Sequence, residues 1–505
     1  MVTGWGDTVV IMGDGVVVRP DQVSLGVLVS AVSRDAVDAA VAACGVGERR
    51  SGGKLPAHVT AYLTMAMCLF AEDDYEEVAT KVTGSLSGWG CWDASWSVPT
   101  ARGITQARKR LGPRVLAEVF EQVAAPVASR STRGAWLRGW RLVAIDEFEV
   151  DLPDTEDNAA EFGYAGSGAN RSAFPKARVV ALAECGTHAF LAAEVASYAT
   201  GEKTLANRLY PRLRRDELLT ADRNFYSFGA WDLATRSGAA LLWRAPTQLQ
   251  LPVVKILADG SYLSVLINPE IRGTRRRAAI LATATQIANT GTLTEVGGAE
   301  LDPTEAHLVR VVEYDVPDRI GNGTGELIVL LSTILDPAAA RADELAAAYH
   351  QRWEEETGND QLKTHLRGPG TILRSRLPEG YPSWCIRKSG PGYWSTTPSR
   401  SWLAAPPRPP SLTPTASPSP ESCASPAVPP PVPRVFPPEN WQEALPHVLA
   451  EITRKILPPR RHRTCPRAIK RGRHNSYRIK QPEDRNTRHT GPPTINIRGI
   501  TSHAA

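Results

Sequence analysis

Two apolar runs in this 505-residue chain each close on an aspartate: Arg141-Leu-Val-Ala-Ile-Asp146 and Glu217-Leu-Leu-Thr-Ala-Asp222. Runs this short and this aliphatic suit buried strands better than helices. A buried strand ending on a carboxylate puts charge where open α/β sheets build their sites, outside the carboxyl ends of the strands. Further elements alternate around them. Strands are expected over 177–184, 189–195 and 239–243, and helices over 204–213 and 228–237. Strands alternating with helices predict an α/β core.

The flanks divide the rest. Residues 1–20 are Gly- and Val-rich and read as a tail. Residues 21–130 carry helical spacing throughout, with a buried helix over 55–71 and a basic stretch at Arg102, Arg108, Lys109 and Arg110. An all-helical module with a basic segment suits DNA docking, and suits a plain bundle almost as well. The core is expected over 131–245 and 331–380, interrupted by a strand-rich insertion at 246–330 that holds a second basic cluster, 272–277. One long helix is expected over 338–366. Residues 381–435 change character: they hold 15 of the 40 prolines and one acidic residue, Glu421. Ordinary sequence resumes at 436–480, with a helix and then nine Lys or Arg and no Asp or Glu between 460 and 480. Residues 481–505 read as a disordered tail.

The net charge of +5 says little by itself. The basic run says more, because such a run binds phosphate backbones through counterion release; a solvated tail is the plain alternative. Seven cysteines without a C-x-x-C pair support neither a zinc ribbon nor a disulfide framework. No signal-peptide pattern and no stretch of about 18 apolar residues appears. A cytoplasmic protein with no membrane partner is expected.

Paired carboxylates at strand ends can hold Mg²⁺, a hard cation that takes oxygen ligands and keeps positions open for phosphate and water. A second constellation follows. Tyr349, Arg352, Glu356 and Lys363 are spaced by 3, 4 and 7 residues, which at about 100° per residue puts them on one helix face. That stripe is wrong for simple core packing and right for phosphate and metal. Singly, each signal is weak: a strand-end aspartate is usually a turn or cap, and an Arg–Glu pair at i,i+4 is usually a surface ion pair. The four-residue spacing downstream of two strand-end aspartates is much rarer.

Tyr349, Arg352, Glu356 and Lys363 match the Y-R-E-K signature of the insertion element 4 family of bacterial transposases. YHQRWEEETGNDQLKTHLRGPG resembles that family's catalytic helix, AIDEFEVDLPDTEDNAAEFGYAG its first catalytic block, and LLTADRNFYSF its second. LPAHVTAYLTMAMCLF and PTARGITQARKRLG are similar to its N-terminal helical domain. The resemblance covers residues 20–380 and 436–480. Glu147 departs from it, where many relatives carry Gly, as does Asn359-Asp360, where an aromatic–acid pair is common.

The resemblance implies an RNase H-like core with a β-rich insertion, preceded by an all-helical N-terminal DNA-binding domain. It implies DDE chemistry: two Mg²⁺ ions, replaceable by Mn²⁺, held by Asp146, Asp222 and Glu356, cutting transposon ends and joining them to target DNA. Tyr349, Arg352 and Lys363 would grip phosphates, with Arg102, Arg108 and Lys109 as further DNA contacts. The implied partners are terminal inverted repeats, target DNA and a second copy of the chain on that DNA, in a bacterial cytoplasm. A non-catalytic DNA-binding protein and another RNase H-like nuclease share most of these features.

In relatives the catalytic helix is followed by an apolar helix, and here that helix is missing. One possible coding of residues 386–399, read two bases on, spells PQVRAWLLVHYAI, which resembles it. A frameshift over residues 381–435, with frame regained near Phe436, accounts for both the loss and the Pro-, Ala-, Arg- and Ser-rich text; a Pro-rich disordered linker is the alternative. Each large apolar side chain of a buried helix contributes about 1.5–3 kcal/mol, so its loss consumes much of a stability margin of about 5–15 kcal/mol. A decayed, poorly active copy is expected.

Overall fold

The computed structural model describes residues 32–47, 54–70, 73–88, 97–290, 301–316, 326–352 and 495–499, and two short paired strands, Val10–Ile11 and Val17–Val18. Its described residues fall into two compact units. The first takes those up to Arg133 and Glu147–Leu205; the second takes Gly134–Asp146 and those from Ala206 onward.

Four helices open the first unit: α1 (Arg34–Ala43), α2 (Ala57–Leu69), α3 (Tyr75–Gly88) and α4 (Ala101–Val123). Ser33 and Thr100 cap α1 and α4, their hydroxyls accepting from the amides of Ala36 and Gly103. Within α4, Gly112 (φ 75°, ψ 163°) breaks the helical path and Pro113 restarts it, so this element is two helices across a kink. The sequence Leu-Gly-Pro dictates that break: glycine tolerates the positive φ, and proline suits the first turn of a helix.

Helices α2, α3 and α4 close a small core of their own around Leu63, Ala66, Val78, Val82 and Ile104, and the larger core is shared. Val37, Tyr62, Leu116 and Val119 pack in one cluster with Phe148, Val150, Val179 and Phe190. The latter come from β1 (Trp140–Asp151), β2 (Lys176–Glu184) and β3 (Phe190–Ser197), and β2 and β3 form an antiparallel hairpin. The expected helical module therefore shares its larger core with strands at 147–190 and keeps the smaller one to itself. The buried Glu184 carboxylate accepts from the amides of Val127 and Ala128, at 3.1 and 2.8 Å, and ties the chain after α4 to β2. Two short helices, α5 (Glu156–Phe162) and α6 (Glu202–Leu209), flank the hairpin in sequence.

The second unit is built on the first half of β1. Parallel to it runs β4 (Glu217–Ala221), and parallel to β4 runs β5 (Ala240–Arg244). Three antiparallel strands continue the sheet: β8 (Glu326–Ser332), β7 (Ala306–Val316) and β6 (Tyr262–Ile267). The parallel strands are buried along nearly their whole length, which is why they read as continuous apolar runs. Helix α7 (Phe228–Thr235) covers them with Trp231, whose ring meets Trp243 edge-on at 5.4 Å.

Three features differ from expectation. The strand-rich insertion contains a 17-residue helix, α8 (Thr274–Thr290), packed through Ile280, Ala284, Ile287 and Ala288. Its arginine run, 275–277, masked an apolar stripe spaced at four, three and one residues. The tail is not wholly without structure: Asn496–Ile497 pairs with Tyr314 and Asp315 of β7 on the edge that β6 leaves open, and Arg498 donates from its amide to Glu313 O at 2.9 Å. Main-chain edge pairing needs no apolar pattern, so composition could not reveal it. Last, the helix expected over 338–366 begins at Ala342. The described part, α9, runs Ala342–His350, turns at Gln351–Arg352, and everything after Arg352 on the expected helix lies outside the described residues.

Candidate active site

The parallel register brings the two strand-end aspartates together. β1 pairs with β4 from Arg141↔Glu217 to Ala144↔Thr220. Continued two residues, that register sets Asp146 beside Asp222. β4 pairs with β5 from Leu218↔Ala240 to Ala221↔Trp243, and one further step sets Asp222 beside Arg244. Asp146, Asp222 and Arg244 thus form a row across the carboxyl edge of three parallel strands. All three are half-buried.

Asp146 is not the end of its strand, as its apolar run suggested. β1 continues to Asp151 through Glu147, Phe148, Glu149 and Val150. The apolar run stops at Asp146 because β4 stops there, and burial on that flank stops with it. Asp222 closes β4 and caps the short 3-10 turn Arg223–Phe225, its Oδ1 accepting from the Arg223 amide at 2.7 Å. The carboxylate is therefore oriented by its own main chain.

Helix α9 supplies the next groups. Its first turn carries Asp343 and Glu344, favourable at a helix N-terminus, and Glu344 accepts from the Arg341 amide at 2.7 Å. Two turns on, Tyr349 is 3% and Arg352 5% exposed, with the guanidinium carbon 5.8 Å from the Tyr349 ring centre. Burial pushes the Tyr349 hydroxyl up to about 12; the positive charge of Arg352 opposes this, the negative charge of Asp222 reinforces it, and Arg244 opposes it again. Two of the four stripe residues thus share one electrostatic neighbourhood with Asp222. Glu356 and Lys363 lie outside the described residues.

Arg244 escaped the sequence reasoning. The available signal was its place as the last residue of a third apolar run, in the same relation to its strand as Asp222 to β4.

The expected divalent cation can be judged by these donors. Asp146 and Asp222 offer carboxylate oxygens from adjacent strands, both half open to solvent, which suits a hard cation that keeps water in its shell. Among the described residues no group of three His, Cys, Asp or Glu side chains gathers as a metal site. The two aspartates fit as a partial ligand set.

The expected DNA contacts of the N-terminal region divide. Arg102 is exposed and Lys109 half-buried. Arg108 is a correction: it is fully buried, donates from Nη1 to the Tyr75 hydroxyl at 2.8 Å, and lies 5.2 Å over the Tyr75 ring. Its side chain points into the α3–α4 packing, so it offers no surface charge to a phosphate.

Beside the site in sequence, Glu147 accepts from Arg178 Nε at 2.7 Å, and Arg178 Nη1 donates to Thr200 O at 2.7 Å. Burial pushes the Glu202 carboxyl up to about 7, and its hydrogen bond to Glu147 and the Glu147 charge add to the rise.

Residues 22–121 match the family model described as insertion element 4 transposase N-terminal. The chain is 24% identical over 332 residues to the transposase InsG for insertion sequence element IS4 of Escherichia coli (strain K12), a match covering 65% of this chain and 66% of that one. It is 29% identical over 172 residues to the putative transposase InsZ of the same organism, covering 34% of this chain and 57% of that one. The chain thus spans slightly under two thirds of the length of the first of these relatives. A cryo-EM structure of the piggyBac transposase synaptic complex with hairpin DNA aligns over 75% of this chain and 74% of that one, at 9% identity and a TM-score of 0.35. Among the described residues no helix is long and apolar enough to cross a membrane.

Proposed function

The chain belongs to the insertion element 4 family of transposases, and on that premise we propose that it is a DNA transposase that cleaves transposon ends and joins them to target DNA by metal-dependent phosphodiester chemistry. The observation that carries this reading is the row of Asp146, Asp222 and Arg244 on the carboxyl edge of three parallel strands. The RNase H-like assignment of the core draws support from the same strands: a hairpin, β2–β3, and a strand, β1, that continues into a parallel set. The proposed partners are transposon-end and target DNA, with a second copy of the chain to hold the other end.

In this reading Asp146 and Asp222, with Glu356 as the third carboxylate, would hold two magnesium ions. When bound, these ions supply a hydroxide from water and stabilise the leaving 3′ oxygen. The chain's own groups do the rest. Arg244, half-buried, brings positive charge to the anionic backbone, where an arginine fork can grip a phosphate bidentately, and the buried Arg352 adds its charge to the field around Asp222. Tyr349, with its hydroxyl raised to about 12, stays protonated at neutral pH and serves as a hydrogen-bond donor rather than a base. No side chain here needs to become a covalent nucleophile, because water and then the freed 3′-OH attack phosphorus. Arg102 and Lys109 on α4 add further phosphate contacts.

The frameshift expected over 381–435 lies outside the described residues, and with it goes the proposal that this copy is poorly active. The test uses the full chain and the same gene with its frame restored. Duplex DNA bearing the ends that flank the gene is incubated with Mg²⁺ or Mn²⁺. The restored chain should cleave at the ends, the chain as it stands at least tenfold more slowly, and Asp146→Asn should abolish cleavage. A restored chain that binds this DNA equally in EDTA and cuts nothing in either metal would establish the DNA-binding alternative instead. Cutting without regard to the ends would point to a different RNase H-like nuclease.

A further inference from the structure

Helix α9 carries Tyr349, with Arg352 two residues past its end, and a polar cluster on Arg310 and Asp259 contacts the main chain where the helix starts. Arg310 of β7 is fully buried. Its guanidinium pairs with Asp259 and donates from Nε to Ser261 Oγ at 2.8 Å. Nη1 donates to Ala340 O at 2.6 Å, two residues before α9 begins. The Asp259 carboxylate also accepts from the Ala342 amide at 2.8 Å, the first amide of the helix. Burial alone would raise the Asp259 pKa, but the Ser261 hydrogen bond and the Arg310 charge bring it below the usual carboxylate range. One ion pair therefore grips the main chain on both sides of the helix start.

The far end is gripped from the same strand. Tyr314 is fully buried, its hydroxyl is 3.3 Å from His350 Nε2, and the two rings meet edge-on at 5.7 Å. Arg310 and Tyr314 are four residues apart on β7, so both side chains leave the same face. Four strand residues span about 13 Å, and the eight helical steps from Ala342 to His350 span about 12 Å. The two grips thus match in spacing to about 1 Å, and a slip of α9 by one residue would break both.

We propose that Arg310 and Asp259, with Tyr314, are positioning residues that set the register of α9 on the sheet and thereby hold Tyr349 and Arg352 beside Asp222. The assignment rests on the reading of Asp146 and Asp222 as metal ligands, and neither clamp residue touches the reacting groups.

The test combines amide hydrogen exchange with Mn²⁺ titration, followed by electron paramagnetic resonance, on the full chain. Arg310→Met should speed exchange of residues 342–352 at least tenfold while β1 and β4 stay within twofold of wild type, and, because the proposed third metal ligand, Glu356, follows Arg352 by four residues in the chain, should weaken Mn²⁺ binding about tenfold. Arg310→Lys, which keeps the charge but not the fork, should recover part of both. Tyr314→Phe keeps the ring packing and the fold, and should loosen only the His350 end. Asp146→Asn should lose Mn²⁺ and leave exchange in α9 unchanged. Exchange that rises equally in every strand would reduce the pair to general stability and overturn the proposal, as would faster exchange in α9 with Mn²⁺ affinity intact. A wild-type chain that binds no Mn²⁺ sinks the metal reading; the exchange contrast alone then decides whether the clamp sets the helix.

Discussion

The β1–β4 register, extended two residues, sets Asp146 beside Asp222 with like charge, an arrangement that costs stability and that a shared cation would offset. Adjacent strands lie about 4.8 Å apart, so the carboxylates are about 5 Å apart if both project from the same face. At that distance they repel by roughly 0.8 kcal/mol at the dielectric of water and about 3 kcal/mol at an effective value near 20. Both side chains are half-buried, and solvent screening favours the lower figure, about 1 kcal/mol. A double-mutant cycle of Asp146→Asn and Asp222→Asn isolates this quantity, because the other partners of each, such as the Arg223 amide on Asp222, cancel. In EDTA, denaturant unfolding should show the two single variants together gaining about 1 kcal/mol more than the double variant. With Mn²⁺ at about 100 times its dissociation constant, wild type should gain about 2.7 kcal/mol and every variant should lose that gain. The coupling then changes sign. Coupling within experimental error of zero in EDTA would mean that the carboxylates are not neighbours, and a coupling indifferent to Mn²⁺ would mean that they share no cation.

Three further outcomes are expected. Because the folded Glu202 carboxyl titrates at about 7 rather than the ordinary 4.5, the native state holds its proton longer than the unfolded chain does; stability should fall as pH climbs from about 4.5 to about 7, and Glu202→Gln should flatten that slope in chemical unfolding. Gly112→Ala should destabilise by about 1–3 kcal/mol in thermal unfolding, a purely conformational cost since a Cβ there meets nothing within 4 Å; an unchanged melting temperature would contradict the kink. Arg102→Ala and Lys109→Ala should each lower the salt slope of DNA binding by about 0.9 for every phosphate left without its cation, whereas Arg108→Met should leave that slope alone and lower stability, so a reduced slope in Arg108→Met would return Arg108 to the surface.

How far the chain could be read depends on what each feature needs. Strands β2, β4 and β5 were legible because burial on both faces leaves an aliphatic run in the local sequence. The break at Leu111-Gly112-Pro113 is local in origin, because glycine and proline act on their own backbone. The helix α8 was hidden by its arginine run, and the C-terminal strand by its reliance on main-chain pairing alone. Arg108 was misread because a basic side chain on a helix ordinarily faces water; only the Tyr75 hydroxyl and ring explain its burial.

By itself, the sequence determined the residue types of the site and the elements that carry them: two carboxylates closing apolar runs, and a tyrosine and an arginine one helical turn apart. These follow from local periodicity and chemistry. Tertiary structure alone decided which groups are neighbours. It set Asp146 within a longer strand, aligned Asp222 with Arg244, and buried Arg310 against the start of α9. Strand register and burial are properties of pairs of distant segments, and one segment's sequence does not contain its partner's position.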